Sequence, residues 1–117
     1  MNENRLFDYL DHMRVAATNA CDFIGGMAKE EFLKDQRTQQ AIIMSIVIIG
    51  EAVTKVMDNY AEFVEANNDV PWHSMRGMRN RVAHGYFDVN LDVVWDTVKT
   101  ALPKLLMQLD DIQKKIA

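Results

Sequence analysis

The sequence predicts an all-α protein folded as an up-and-down helical bundle. Three observations carry that reading. Apolar residues recur at three- and four-residue spacings over long stretches of the chain. Only 5 Gly and 2 Pro occur in 117 residues, too few for the many turns of a β-sandwich or barrel. Met is frequent, at 8, and unbranched side chains lose little rotamer freedom on a helix. A length of 117 residues with 49% hydrophobic content suits one domain, residues 1–117, around one core.

The first helix is expected from Glu3 to Ile24, where Leu6, Leu10, Met13, Ala17, Ala20 and Ile24 share a face. Gly25-Gly26 stops it. A short helical piece follows over Lys29 to Leu33. The second long helix is expected from Thr38 to Asn59. Its β-branched centre, Ile42 to Ile49, resembles a buried strand when taken alone. It runs without a break signal into Glu51 to Met57, which keeps the helical period, so helix is the better reading. A helix apolar nearly all round is buried on most sides, as a central bundle helix or one that also meets a second subunit.

Ala61 to Val70 is a short helix or loop. Val70-Pro71 punctuates the chain, since the residue before Pro is pushed out of the α region. Pro71 then opens a helix that ends near His84-Gly85, with Gly85 as its stop. Asn90 caps the last helix, whose apolar face runs from Val94 and Trp95 to Ile112. Pro103 is expected to kink it.

A net charge of −4 excludes a nucleic-acid binder that works through overall charge, so any contact with RNA needs a local basic patch. Cys21 is the only cysteine, which rules out an internal disulfide and points to a reducing, cytoplasmic setting. The longest apolar run, Ala41 to Gly50, falls short of the roughly 20 residues of a membrane span, so no membrane partner is expected. Charges break up Met1 to Arg14, which does not read as a signal peptide.

One segment differs from the rest. Trp72 to Tyr86 holds two of the three His, and three Arg. On a helix advancing about 100° per residue, Met75, Met78, Val82 and Tyr86 form one stripe, expected to face the core. Arg79, Arg76, Asn80 and His84 follow around a neighbouring arc of roughly 140°. Asn80 and His84 are four apart, so Asn80 can orient the imidazole. These residues suit phosphodiester cleavage. His84 can move a proton near neutral pH, and Arg79 can fork hydrogen bonds onto a phosphate. RNA supplies its own nucleophile, the ribose 2′-hydroxyl, so no metal or cofactor is required. His-Glu-x-x-His and Cys-x-x-Cys spacings do not occur. One group must take a proton and another give it, and a two-fold dimer would supply the second copy.

Arg79-Asn80-x-x-x-His84-x-Tyr86 resembles the R-x4-H-x-Y signature of HepT-like toxins of the HEPN superfamily. Ile49-Gly50-Glu51-Ala52, Val70-Pro71-Trp72 and Val94-Trp95 resemble that family in order and spacing. The likeness runs from about residue 3 to residue 112. It implies a homodimeric HEPN bundle with the two motifs facing one cleft. It further implies a metal-independent endoribonuclease acting on cellular RNA, tRNA among the substrates. Arg79 and His84 would be the catalytic pair and Asn80 a supporting residue. The implied partner is an MNT-type nucleotidyltransferase antitoxin, which in some pairs adds AMP to the motif tyrosine, here Tyr86. The alternative is a non-catalytic HEPN binding module paired with such an enzyme.

Plainer roles stand beside these. Taken alone, His84 is a helix-dipole partner, Arg79 a salt-bridge arginine and Tyr86 a core aromatic with a wet hydroxyl. Glu51 is spaced to pair with Lys55, with a role in the cleft as the other reading. Arg76 and Arg81 either hold RNA backbone or keep the surface charged. His12 and His73 read as surface residues, and the methionines as core filler.

Overall fold

The computed structural model describes residues 5–116. The expected helix start at Glu3 lies outside them. Helix α1 spans Leu6–Ile24, α2 Lys29–Phe32, α3 Gln36–Asn59, α4 Ala61–Ala66 and α5 Trp72–His84. A 3-10 turn at Tyr86–Asp88 leads to α6, Leu91–Asp96, and a widened π turn at Thr97–Ala101 leads to α7, Leu102–Ile116. No strand occurs among the described residues.

Helix α3 is the centre. Its residues Ile42, Ile46, Ile49, Val53 and Val56 are buried, and the helix packs against both α1 and α5. Helix α7 closes the bundle against α1. Met13, Ala17 and Ala20 of α1 are completely buried, and two of the three are alanines, which lets the helix axes approach. By length and mean hydropathy, 1.6 over its most apolar stretch, α3 alone would pass for a membrane span. Half of that stretch is buried inside the bundle, as in the core helix of a globular protein.

Local chemistry sets the boundaries. Gly25 takes a positive φ of 51°, open to glycine at little cost, and turns the chain out of α1. Helix α3 starts two residues before the expected Thr38, because the Asp35 carboxylate accepts from the Thr38 N–H and hydroxyl. Pro71 sits just outside α5 as its cap rather than as its first residue. Trp72, buried beside it, donates its ring N–H to the Asn67 carbonyl at 3.0 Å. Gly85 ends α5 as expected but at φ −153°, outside the left-handed region. Asn90 caps α6 as predicted, accepting from the N–H groups of Asp92 and Val93.

The last helix is interrupted ahead of Pro103. The π turn at Thr97–Ala101 widens the backbone where the proline ring would clash with the carbonyl four residues earlier, at Lys99. The irregularity therefore falls one turn upstream of the expected kink. The methionines are not uniformly core filler either. Met13 is buried, but Met44 and Met107 are exposed.

Two outcomes are expected. Asn90→Ala should lower stability by about 1 kcal/mol in denaturant unfolding, leaving the N–H groups of α6 without their acceptor. Hydrogen bonds from the Thr38 backbone and hydroxyl hold the Asp35 carboxyl below its usual range. Its contribution is therefore complete above about pH 4, the unfolded value, and fades as pH falls through the lower folded value. Asp35→Asn, which keeps the acceptor but cannot titrate, should flatten the acid limb of a stability–pH curve.

Candidate active site

Helix α5 is carried by its contact with α3, and that contact is unusually close at one point. A Cβ placed on Gly50 would lie 2.2 Å from Arg79 Cβ and 2.6 Å from Arg79 Cγ. Only glycine allows the Arg79 stem to lie flat on α3. One residue further along, Glu51 Oε2 accepts from Arg79 Nη2 at 2.8 Å. Arg79 Nη1 donates to Asn80 Oδ1 at 2.9 Å. The guanidinium is thus fixed on two sides. A guanidinium has five N–H donors, so three are left for an incoming anion.

This arrangement corrects two expectations. Glu51 pairs with Arg79 and makes no ion pair with Lys55 among the described residues. The close crossing at Gly50 delivers a forked cation to Glu51, and a guanidinium is a better partner for a carboxylate than an exposed ammonium four residues away. Asn80 accepts from Arg79 with its carbonyl oxygen, and no hydrogen bond joins Asn80 to His84 among the described residues.

His84 is the last residue of α5 and exposed. It stands about 7.5 Å further along the axis than Arg79, at 1.5 Å rise per residue. Tyr86 leaves the core stripe altogether. The helix ends at His84, so Tyr86 falls in the 3-10 turn, 44% exposed, with its ring edge-on to Phe87 at 6.0 Å. It is not the core aromatic that helical spacing places there, whereas Val82 of that stripe is buried and Met75 and Met78 are half-buried.

The remaining arginines diverge. Arg76 reaches Asp58 of α3 at 3.6 Å. Arg81 lies exposed, and no ion pair involves it among the described residues. His12 and His73 are exposed, as expected. Among the described residues no group of three His, Cys, Asp or Glu is placed to hold a metal ion. Burial pushes the Cys21 thiol up, with Asp22 adding to the shift and Lys99 opposing it, so it is a poor nucleophile at neutral pH.

The family model described as ribonuclease HepT-like matches residues 13–112, which takes in α3, α5 and the whole motif. The chain belongs to the HepT-like family. A candidate RNase of Methanocaldococcus jannaschii is 35% identical over 111 residues, covering 95% of this chain and 86% of that one. A second candidate RNase, from Caldanaerobacter subterraneus, is 35% identical, covering 92% of this chain and 93% of its own. The probable ribonuclease HepT of Thermococcus cleftensis is 34% identical over 92% of this chain and 94% of its own. No solved structure matches the chain. The matched region thus includes the segment of α5 that α3 braces through Gly50 and Glu51.

Gly50→Ala should cost about 1–3 kcal/mol in denaturant unfolding, as overpacking does at a helix crossing. Gly26→Ala is the control. Nothing lies within 4 Å of a Cβ there, so stability should hold or rise slightly. Glu51→Gln should change stability by less than about 1 kcal/mol, because the pair is partly exposed.

Proposed function

We propose that this HepT-like chain is the toxin half of a HEPN/MNT-type pair, a metal-independent endoribonuclease working as a homodimer. Cellular RNA, with tRNA among the candidates, is the substrate. The observation that carries this reading is the clamped Arg79 guanidinium on the helix that ends in exposed His84.

The chemistry follows from those groups. The 2′-oxygen of a ribose attacks the adjacent phosphorus, and one His84 takes the hydroxyl proton. The bond from phosphorus to the 5′-oxygen breaks, and the partner's His84 donates a proton to that oxygen. Arg79 holds the non-bridging oxygens as their charge grows. The products carry a 2′,3′-cyclic phosphate and a free 5′-hydroxyl. The two-fold arrangement supplies both the acid and the base. Exposed Met44 and Ile48 on α3 lead, at helical spacing, to Glu51. An apolar strip that ends at the Arg79 clamp favours a subunit contact there. Glu51 and Asn80 position Arg79, and Arg76 and Arg81 supply positive charge for the RNA backbone.

In the same reading, a nucleotidyltransferase antitoxin silences the site by modifying Tyr86. The exposed ring supports access to the hydroxyl, which would attack the α-phosphorus of ATP and release pyrophosphate. Adenylate on Tyr86 would crowd His84, two residues away.

Expression without any partner tests the reading. Wild-type chain should arrest growth, and Arg79→Ala and His84→Ala should not. Coexpression with the nucleotidyltransferase should restore growth and raise the intact mass by one adenylate, an increase absent from Tyr86→Phe. Normal growth with folded, dimeric wild-type chain would favour the alternative, a non-catalytic module that binds the nucleotidyltransferase.

A further inference from the structure

Phe87 is 98% exposed, the most exposed large apolar side chain among the described residues. Burying a phenylalanine stabilises a fold, a gain the protomer forgoes here. The ring is held out by backbone rather than by packing. Gly85 N–H donates to the Arg81 carbonyl at 2.9 Å, Asp88 N–H to Gly85 at 2.9 Å, and Val89 N–H to Tyr86 at 3.2 Å. Asn90 then caps α6 and fixes the far end of the turn. Tyr86 lies edge-on beside Phe87, with ring planes at 77°.

The helix that leads into this turn is cationic, and Asp88, the last residue of the turn, is the first acid after it. From Val70 to Phe87 there is no Asp or Glu, in a chain whose net charge is −4. The same segment holds Arg76, Arg79 and Arg81. Arg76 pairs with Asp58 and Arg79 with Glu51, while Arg81, six residues before Phe87, makes no ion pair among the described residues.

We propose that the Tyr86–Phe87 turn is a base-stacking platform, which receives an unpaired nucleobase flanking the phosphate at Arg79 and His84. Aromatic faces stack on any base, and only a base free of its duplex can reach them. The substrate class is therefore single-stranded RNA, a loop or an end, rather than a double helix. Selection acts through strandedness and not through base identity. The inference refines the nuclease reading and rests on it for the cleavage step alone, since stacking can be measured without cleavage.

The test uses full-length wild type, Phe87→Ala and Phe87→Trp. The probe is a 2′-O-methyl RNA oligonucleotide carrying 2-aminopurine, offered single-stranded and annealed to its complement. Methylation removes the attacking hydroxyl, so only binding is read. Wild type should bind and quench the single strand and leave the duplex unquenched. Phe87→Ala should weaken binding roughly tenfold and lose the quench, and Phe87→Trp should restore both. No quench by wild type, equal binding by Phe87→Ala, or failure of Trp to restore would each overturn the platform. So would a change of oligomeric state in Phe87→Ala by light scattering, which would assign the ring to a subunit contact. The unmethylated oligonucleotide separates the two claims. Quenching without cleavage removes the nuclease reading and keeps the platform. Cleavage with a KM indifferent to Phe87 removes the platform and keeps the nuclease.

Discussion

Gly50 sets the distance between α3 and α5, because any larger residue would collide with the Arg79 stem. The rest of the candidate site depends on that approach. It brings Arg79 within reach of Glu51 and so fixes the guanidinium. It also fixes the direction of α5, and with it the place where the helix delivers His84 and the turn beyond. The core underneath is ordinary: Ile and Val of α3 packed on the small residues of α1. What is special is a single missing side chain at the crossing.

The resulting site is positioned without being enclosed. Arg79 is only partly shielded, and His84, Tyr86 and Phe87 face outward. A rigid constellation on an open surface suits a large polymeric substrate better than a small metabolite, which needs a concave pocket to bury it. In the proposed reading, specificity rests on surface chemistry: the cationic helix α5 for phosphates, and exposed rings for bases. In that reading, the net charge of −4 keeps nonspecific attraction to duplexes low.

The fold class and nearly all helix positions were legible because three- and four-residue apolar spacing persists through α1, α3 and α7. Gly25 and Asn90 marked their boundaries for the expected physical reasons. Other features were hidden because they depend on tertiary geometry. The Glu51–Arg79 pair links residues 28 apart in sequence, so local spacing assigned Glu51 to Lys55 instead. Helical spacing places Tyr86 on the core stripe only by continuing the helix two residues past its end. The π turn ahead of Pro103 has no signature beyond the proline. Phe87 carried no signal either: an isolated aromatic after a glycine gives no hint that its ring is turned wholly to solvent. Arg79, Asn80 and His84 were readable as a set because the motif is compact and lies on one helix, although the partner of Asn80 was not.

The central claim is that the clamped Arg79 and the exposed His84 form an RNA-cutting centre that needs no metal. The most direct measurement incubates purified protein with total RNA in EDTA, beside His84→Ala confirmed to be folded and dimeric, with intact mass showing Tyr86 unmodified. The account predicts discrete fragments ending in 2′,3′-cyclic phosphate from the wild type alone. Equal cleavage by His84→Ala, or intact RNA with the unmodified wild type, would contradict it.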